Sequence, residues 1–132
     1  MSALSTLPSF LAYFALAAAV LALFLAAYLR FTPYPEIALV REGNAAAAVS
    51  VAGAMLGFAL PIANVIRNSG GLLDVAVWSA IACAIQLAIY VVARRLLPRL
   101  AEQIPAGKAA PAIFLAALSI TAGLLNAACM EP

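Results

Sequence analysis

Four stretches of this chain carry no Asp, Glu, Lys or Arg: residues 10–29, 43–66, 75–93 and 109–130. A helix needs about 20 residues to cross the hydrocarbon core of a bilayer, and each of these runs has that length. In lipid every backbone amide must find its partner inside the chain, which a helix provides and an open strand does not. The runs show no alternation of apolar and polar residues, so barrel strands are not expected. The expected fold class is all-α, a polytopic membrane protein with four transmembrane helices. Composition agrees, with 9% of residues charged against about 25% in soluble domains. A cleaved signal peptide is a poor reading of the first run, which is too long and has no Lys or Arg before Arg30.

Basic residues set the expected orientation. Arg30 and Arg41 flank the first loop, Arg67 the second, and Arg94, Arg95, Arg99 and Lys108 the third. The positive-inside rule puts the first and third loops in the cytoplasm and both termini outside, which in a bacterium is the periplasm.

The chain reads as a single membrane domain over residues 1–132, built from two repeated helical hairpins, 10–66 and 72–130. A gapless shift of 64 residues lays 11–64 on 75–128, with Arg30 on Arg94 and Gly43 on Gly107. Two units of two spans keep the same orientation, so the expected pseudo-two-fold axis runs along the membrane normal.

The second span carries a stripe of small residues, Ala46, Ser50, Gly53, Gly57, Pro61 and Asn64, and the fourth carries Ala112, Ala116, Ser119, Gly123 and Asn126. Missing Cβ atoms let helix backbones approach closely, and in lipid such packing drives association. The stripes serve either packing within one protomer or a homo-oligomer interface, with a dimer expected. Pro61 is expected to kink its helix. In the third span, Ser79 and Gln86 stand out. An unpaired amide at mid-membrane is costly, so Gln86 either bonds across helices or lines a polar path with Ser79, Ser119 and Asn126. Cys83 and Cys129 lie at different depths, and no bridge between them is expected.

The first loop holds the run Thr32-Pro33-Tyr34-Pro35-Glu36-Ile37-Ala38-Leu39-Val40-Arg41-Glu42-Gly43-Asn44. The prolines stop the first helix. Ile37, Val40 and Asn44 share one face of a short interfacial turn, which leaves Glu36 and Arg41 nearer water. Tyr28 and Tyr34 are expected among the headgroups. Glu36, Arg41 and Glu42 form either a solvated loop or a contact for a cytoplasmic protein partner.

The stretches TPYPEIALVREGNAAAAVSVAGAMLGFALP and IFLAALSITAGLLNAACM resemble the bacterial inner-membrane family known as domain of unknown function 350, the YjfL-like proteins. The resemblance spans nearly the whole chain. Its distinctive parts are Pro35 to Asn44 and Gly123 to Met130. It implies a four-helix inner-membrane protein of two related hairpins, and it hints at a link to membrane stress. It implies no activity and carries over no catalytic residue. The Ala-rich stretch 45–48 is a departure, since polar residues would fit there equally well.

Much chemistry is excluded by what is missing. The chain has no histidine, and no ionisable Asp, Glu, Lys or Arg falls inside a span. Ion-coupled pumps and proton relays usually need one. No phosphate-binding loop, nucleophile–base pair or metal-ligand cluster is present in the sequence. An enzyme, a cofactor and a metal are therefore not expected. A net charge of +2 is too small for a nucleic-acid surface. Two classes remain: an oligomeric structural or scaffolding component of the bilayer, or a small channel or transport subunit for an ion or small solute.

Overall fold

The computed structural model describes residues 3–68 and 71–130. Its elements are α1 (Ala3–Phe31), α2 (Glu36–Arg41), α3 (Ala45–Asn68), α4 (Leu72–Leu96), α5 (Leu100–Gln103) and α6 (Ala109–Cys129). The four long helices are all long and apolar enough to cross a membrane. The expected positions of the two chain ends fall on residues 1–2 and 131–132, which lie outside the described residues.

The charged residues explain where the long helices stop. Pro33 and Pro35 follow the end of α1, and Arg94 and Arg95 close α4 where water begins. Asn44 starts α3 by an N-cap, its Oδ1 accepting the Ala47 amide at 3.0 Å. α3 continues unbroken through Pro61.

The two short helices end alike. After α2 the Gly43 amide donates to the Val40 carbonyl at 3.0 Å, and the Asn44 amide to Leu39 at 2.9 Å. After α5 the Gly107 amide donates to Ile104 at 3.0 Å, and the Lys108 amide to Gln103 at 3.0 Å. This paired pattern needs a left-handed residue after the helix. Gly43 and Gly107 supply it, with φ of 88° and 81°. The third-loop helix α5 carried no signal in the hydrophobic pattern, because four residues are too few to show one.

α3 is the central helix, with 56% of its most apolar window buried, whereas α1 has 6%. Its most extensive contact is with α6. The glycines explain the closeness of that pair. A Cβ on Gly53 would overlap Ala116, one on Gly57 the Ser119 carbonyl, and one on Gly123 the Gly57 backbone. At the far end the Asn64 Nδ2 donates to the Ala127 carbonyl at 2.8 Å. These contacts advance along both helices together, so α3 and α6 run parallel.

α4 closes the other side of α3. α1 is attached through Phe24, stacked on Phe58 with centroids 4.4 Å apart, and through Tyr28 against Tyr90 at 5.9 Å. Towards its start α1 exposes Phe10 and Phe14, and an apolar groove of about 290 Å³ opens between Phe14 and Leu21 of α1 and Phe58 and Ile66 of α3.

Candidate functional site

Two groups of buried polar side chains stand out among the described residues, one between the long helices and one at the loop end of the bundle.

Between the helices, Gln86 of α4 reaches into the α3–α6 seam. Its Nε2 donates to the Ser119 carbonyl at 3.1 Å and lies against Gly57. Its Oε1 is buried without a partner among the described residues. Ser79 turns its hydroxyl back to the Val75 carbonyl of its own helix at 2.6 Å. Ser50, Gly53, Gly57 and Pro61 of α3 and Ser119 and Gly123 of α6 are buried. Asn126 is half-buried one turn further along α6. The small residues are thus spent on α3–α6 packing inside the protomer, and the seam presents none of these glycines to a second copy. Cys83 and Cys129 are both free.

At the loop end, the first loop departs from the sequence reading. Glu36 is 1% exposed. Its Oε1 lies 3.2 Å from the Ser50 hydroxyl of α3, and its Oε2 lies 3.4 Å from the Thr32 hydroxyl. Ile37 and Val40 point outward instead. The short helix is therefore turned over relative to expectation. Two hydroxyls meet the carboxyl inside, while Ile37 and Val40 are left on the outer surface. Arg41 and Glu42 are exposed, as a contact surface requires, but Glu36 is removed from any such surface.

Tyr28 and Tyr34, expected among the headgroups, are also buried. The Tyr90 hydroxyl donates to the Tyr34 hydroxyl at 3.3 Å, and the Tyr28 hydroxyl is buried with no partner among the described residues. Burial first, then the Tyr90 bond and the nearby Glu36 charge, push the Tyr34 phenol up. Burial also pushes the Glu36 carboxyl up to about 7, against the lowering effect of the Ser50 and Thr32 hydroxyls. No cation pairs with Glu36 among the described residues.

Asn44 joins the two loops of this end. Its Nδ2 donates to the carbonyls of Ile104 and Pro105, each at 3.1 Å. The first and third loops therefore share one end of the bundle, the end that carries Arg30, Arg41, Arg94, Arg95, Arg99 and Lys108. Sequence reasoning passed over Asn44 as a tie between loops. The available signal was an Asn directly before an uncharged helical run, which marks a cap but not its second use.

The arrangement is a bundle of four apolar helices with, among the described residues, one buried acid at its basic end. The family model described as Domain of Unknown Function (DUF350) matches residues 1–130. The chain belongs to this family. It is similar to the UPF0719 inner membrane protein YjfL of Escherichia coli (strain K12), at 33% identity over 130 residues and 98% of both chains. The protein of the same name from Escherichia coli O157:H7 matches with the same identity and coverage. No solved structure matches the chain. Together with its four apolar helices, the relationship makes this DUF350 member an integral inner-membrane protein. The family's name assigns it no activity and no enzymatic role.

Proposed function

We propose that the protein is a structural or scaffolding component of the inner membrane, working without catalysis and without a solute path through its protomer. The observation that carries this reading is the seam between α3, α4 and α6. Gln86, the long polar side chain at mid-depth, is committed to the Ser119 carbonyl. The backbones on either side of it are too close to admit a Cβ at Gly57 or Gly123. A polar path needs a continuous run of lining groups, and Ser79 and Asn64 are likewise turned onto backbone carbonyls.

In this reading both termini face the periplasm and the basic loop end faces the cytoplasm. Two hairpins, 10–66 and 72–130, form a tandem pair in which α3 and α6 meet. Self-association as a homodimer or larger assembly uses surfaces other than the α3–α6 seam. A cytoplasmic protein partner meets the loop end through Arg41 and Glu42, and membrane stress is the setting the family resemblance suggests.

The test is solute and ion flux through the purified protein in liposomes. No flux above that of empty vesicles is expected. Conductance that Gln86→Leu abolishes while the protein still folds would replace this reading with the channel or transport subunit.

A further inference from the structure

The Glu36 nest contains too few protons for an ionised carboxylate and too many acceptors for comfort. A hydroxyl has one proton to donate. Ser50 Oγ lies 3.2 Å from Glu36 Oε1 but 3.0 Å from the Ala47 carbonyl. Thr32 Oγ1 lies 3.4 Å from Glu36 Oε2 and 3.4 Å from the Leu29 carbonyl. The Leu29 carbonyl has a special need for that proton, because the residue four ahead is Pro33, which has no amide to give it. With both hydroxyls turned to their carbonyls, the carboxylate would have no donor among the described residues. With both turned to the carboxylate, Leu29 would lose its hydroxyl partner. A neutral acid resolves the conflict, since it brings a proton of its own.

Among the described residues no positive charge pairs with the carboxyl to hold its ionised form. α1 contributes Tyr28, the linker Thr32 and Tyr34, α3 Ser50 and α4 Tyr90. Arg30, Arg41, Glu42 and Arg94 are all exposed; Arg94 lies near the Tyr90 hydroxyl but does not act on the Glu36 carboxyl. The equivalent first position of α5 is Leu100, fully buried and apolar. The fold thus accepts an uncharged side chain at the start of such a helix.

We propose that the Glu36 nest is a proton-binding site. The carboxyl rests neutral and donates to Ser50 or Thr32. When its proton leaves to bulk water, the buried carboxylate draws the start of α2 out of the corner between α1 and α3. A buried ionisable group without a counter-ion is costly. α2 is short, and Pro35 and Gly43 bound it on either side, so it is the element free to move.

The full chain in lipid nanodiscs, labelled at the glutamate carboxyl carbon, gives signals from Glu36, Glu42, Glu102 and Glu131. We expect one signal to titrate near 7 and to vanish in Glu36→Gln. Titration of all four in the ordinary range near 4.3 overturns the site. Should Glu36→Gln fail to fold, Glu36→Asp assigns the signal by removing a glutamate while keeping the acid.

Movement is read with spin labels at Val40→Cys and Arg99→Cys in a Cys83→Ser, Cys129→Ser background. Their separation should grow as pH is raised past 7 with Glu36 present and stay short in Glu36→Gln. A separation that ignores pH, or one that changes equally in both proteins, overturns the coupling to α2.

Discussion

Gly57 and Gly123 meet backbone to backbone at the middle of the α3–α6 seam, with no side chain between them. Each keeps its place because neither has a Cβ, and the close approach gives many small dispersion contacts at once.

Adding that Cβ should therefore cost stability. Gly57→Ala and Gly123→Ala are each expected to destabilise the protomer by about 1–3 kcal/mol, the usual range for overpacking. Gly57→Leu should prevent packing altogether. Unfolding in mixed micelles, followed by helix signal and by the mobility of the monomer, checks this. Loss of a dimer with an unchanged protomer would contradict it.

Gln86→Leu should change stability by less than about 1 kcal/mol. The lost bond to Ser119 is worth roughly 0.6 kcal/mol in membrane proteins, and the change also removes the unpartnered Oε1. Gln86→Cys, in a Cys83→Ser, Cys129→Ser background, should resist a membrane-impermeant maleimide. Rapid labelling there would mean water reaches the seam.

Stability should fall as pH rises through the range set by Glu36. Its carboxyl sits near 7 in the folded chain against 4.5 for an unperturbed group. The folded state therefore holds the proton more tightly than the unfolded state. The contribution is full below about 4.5, is lost between 4.5 and 7, and is flat above. It amounts to on the order of 3 kcal/mol at one pKa unit per ~1.4 kcal/mol. Unfolding of the wild type and Glu36→Gln across this range isolates it, since other carboxyls act equally in both. Parallel curves would remove Glu36 as the cause.

Reporter fusions after Pro132 should be active only when the reporter works in the periplasm. The basic residues divide six to one between the two ends of the bundle, and an excess of Lys and Arg marks the cytoplasmic side. An active cytoplasmic reporter would invert the bundle.

The long helices were readable because charge cannot stay in lipid, so each span ends where the first Arg, Lys, Asp or Glu appears. The positions of Gly53, Gly57 and Gly123 were readable as close contacts, but their partners were not, since a stripe does not say which helix faces it. Gln86 was legible as a residue needing a partner, while Ser119 offered its backbone carbonyl, which no side-chain pattern reveals. Glu36 escaped for a different reason. A single acid between two prolines and an Arg looks like a solvated turn. Its burial depends on Ser50, fourteen residues away, and on a helix orientation that opposes the local hydrophobic pattern.

The central helix α3 finds its largest partner in α6, the fourth long helix in chain order, which is made after α3 and α4. A chain emerging from the ribosome must then hold Gly53 without Ala116, and Gly57 with only Gln86 of α4 beside it, until α6 has arrived. Assembly waits on α6, and a product cut short before it would insert three spans and still leave Gly53, and Gly57 as the partner of Gly123, without the α6 backbone. A frameshift just before Ala109 should therefore lower the amount of folded protein as sharply as one within α1.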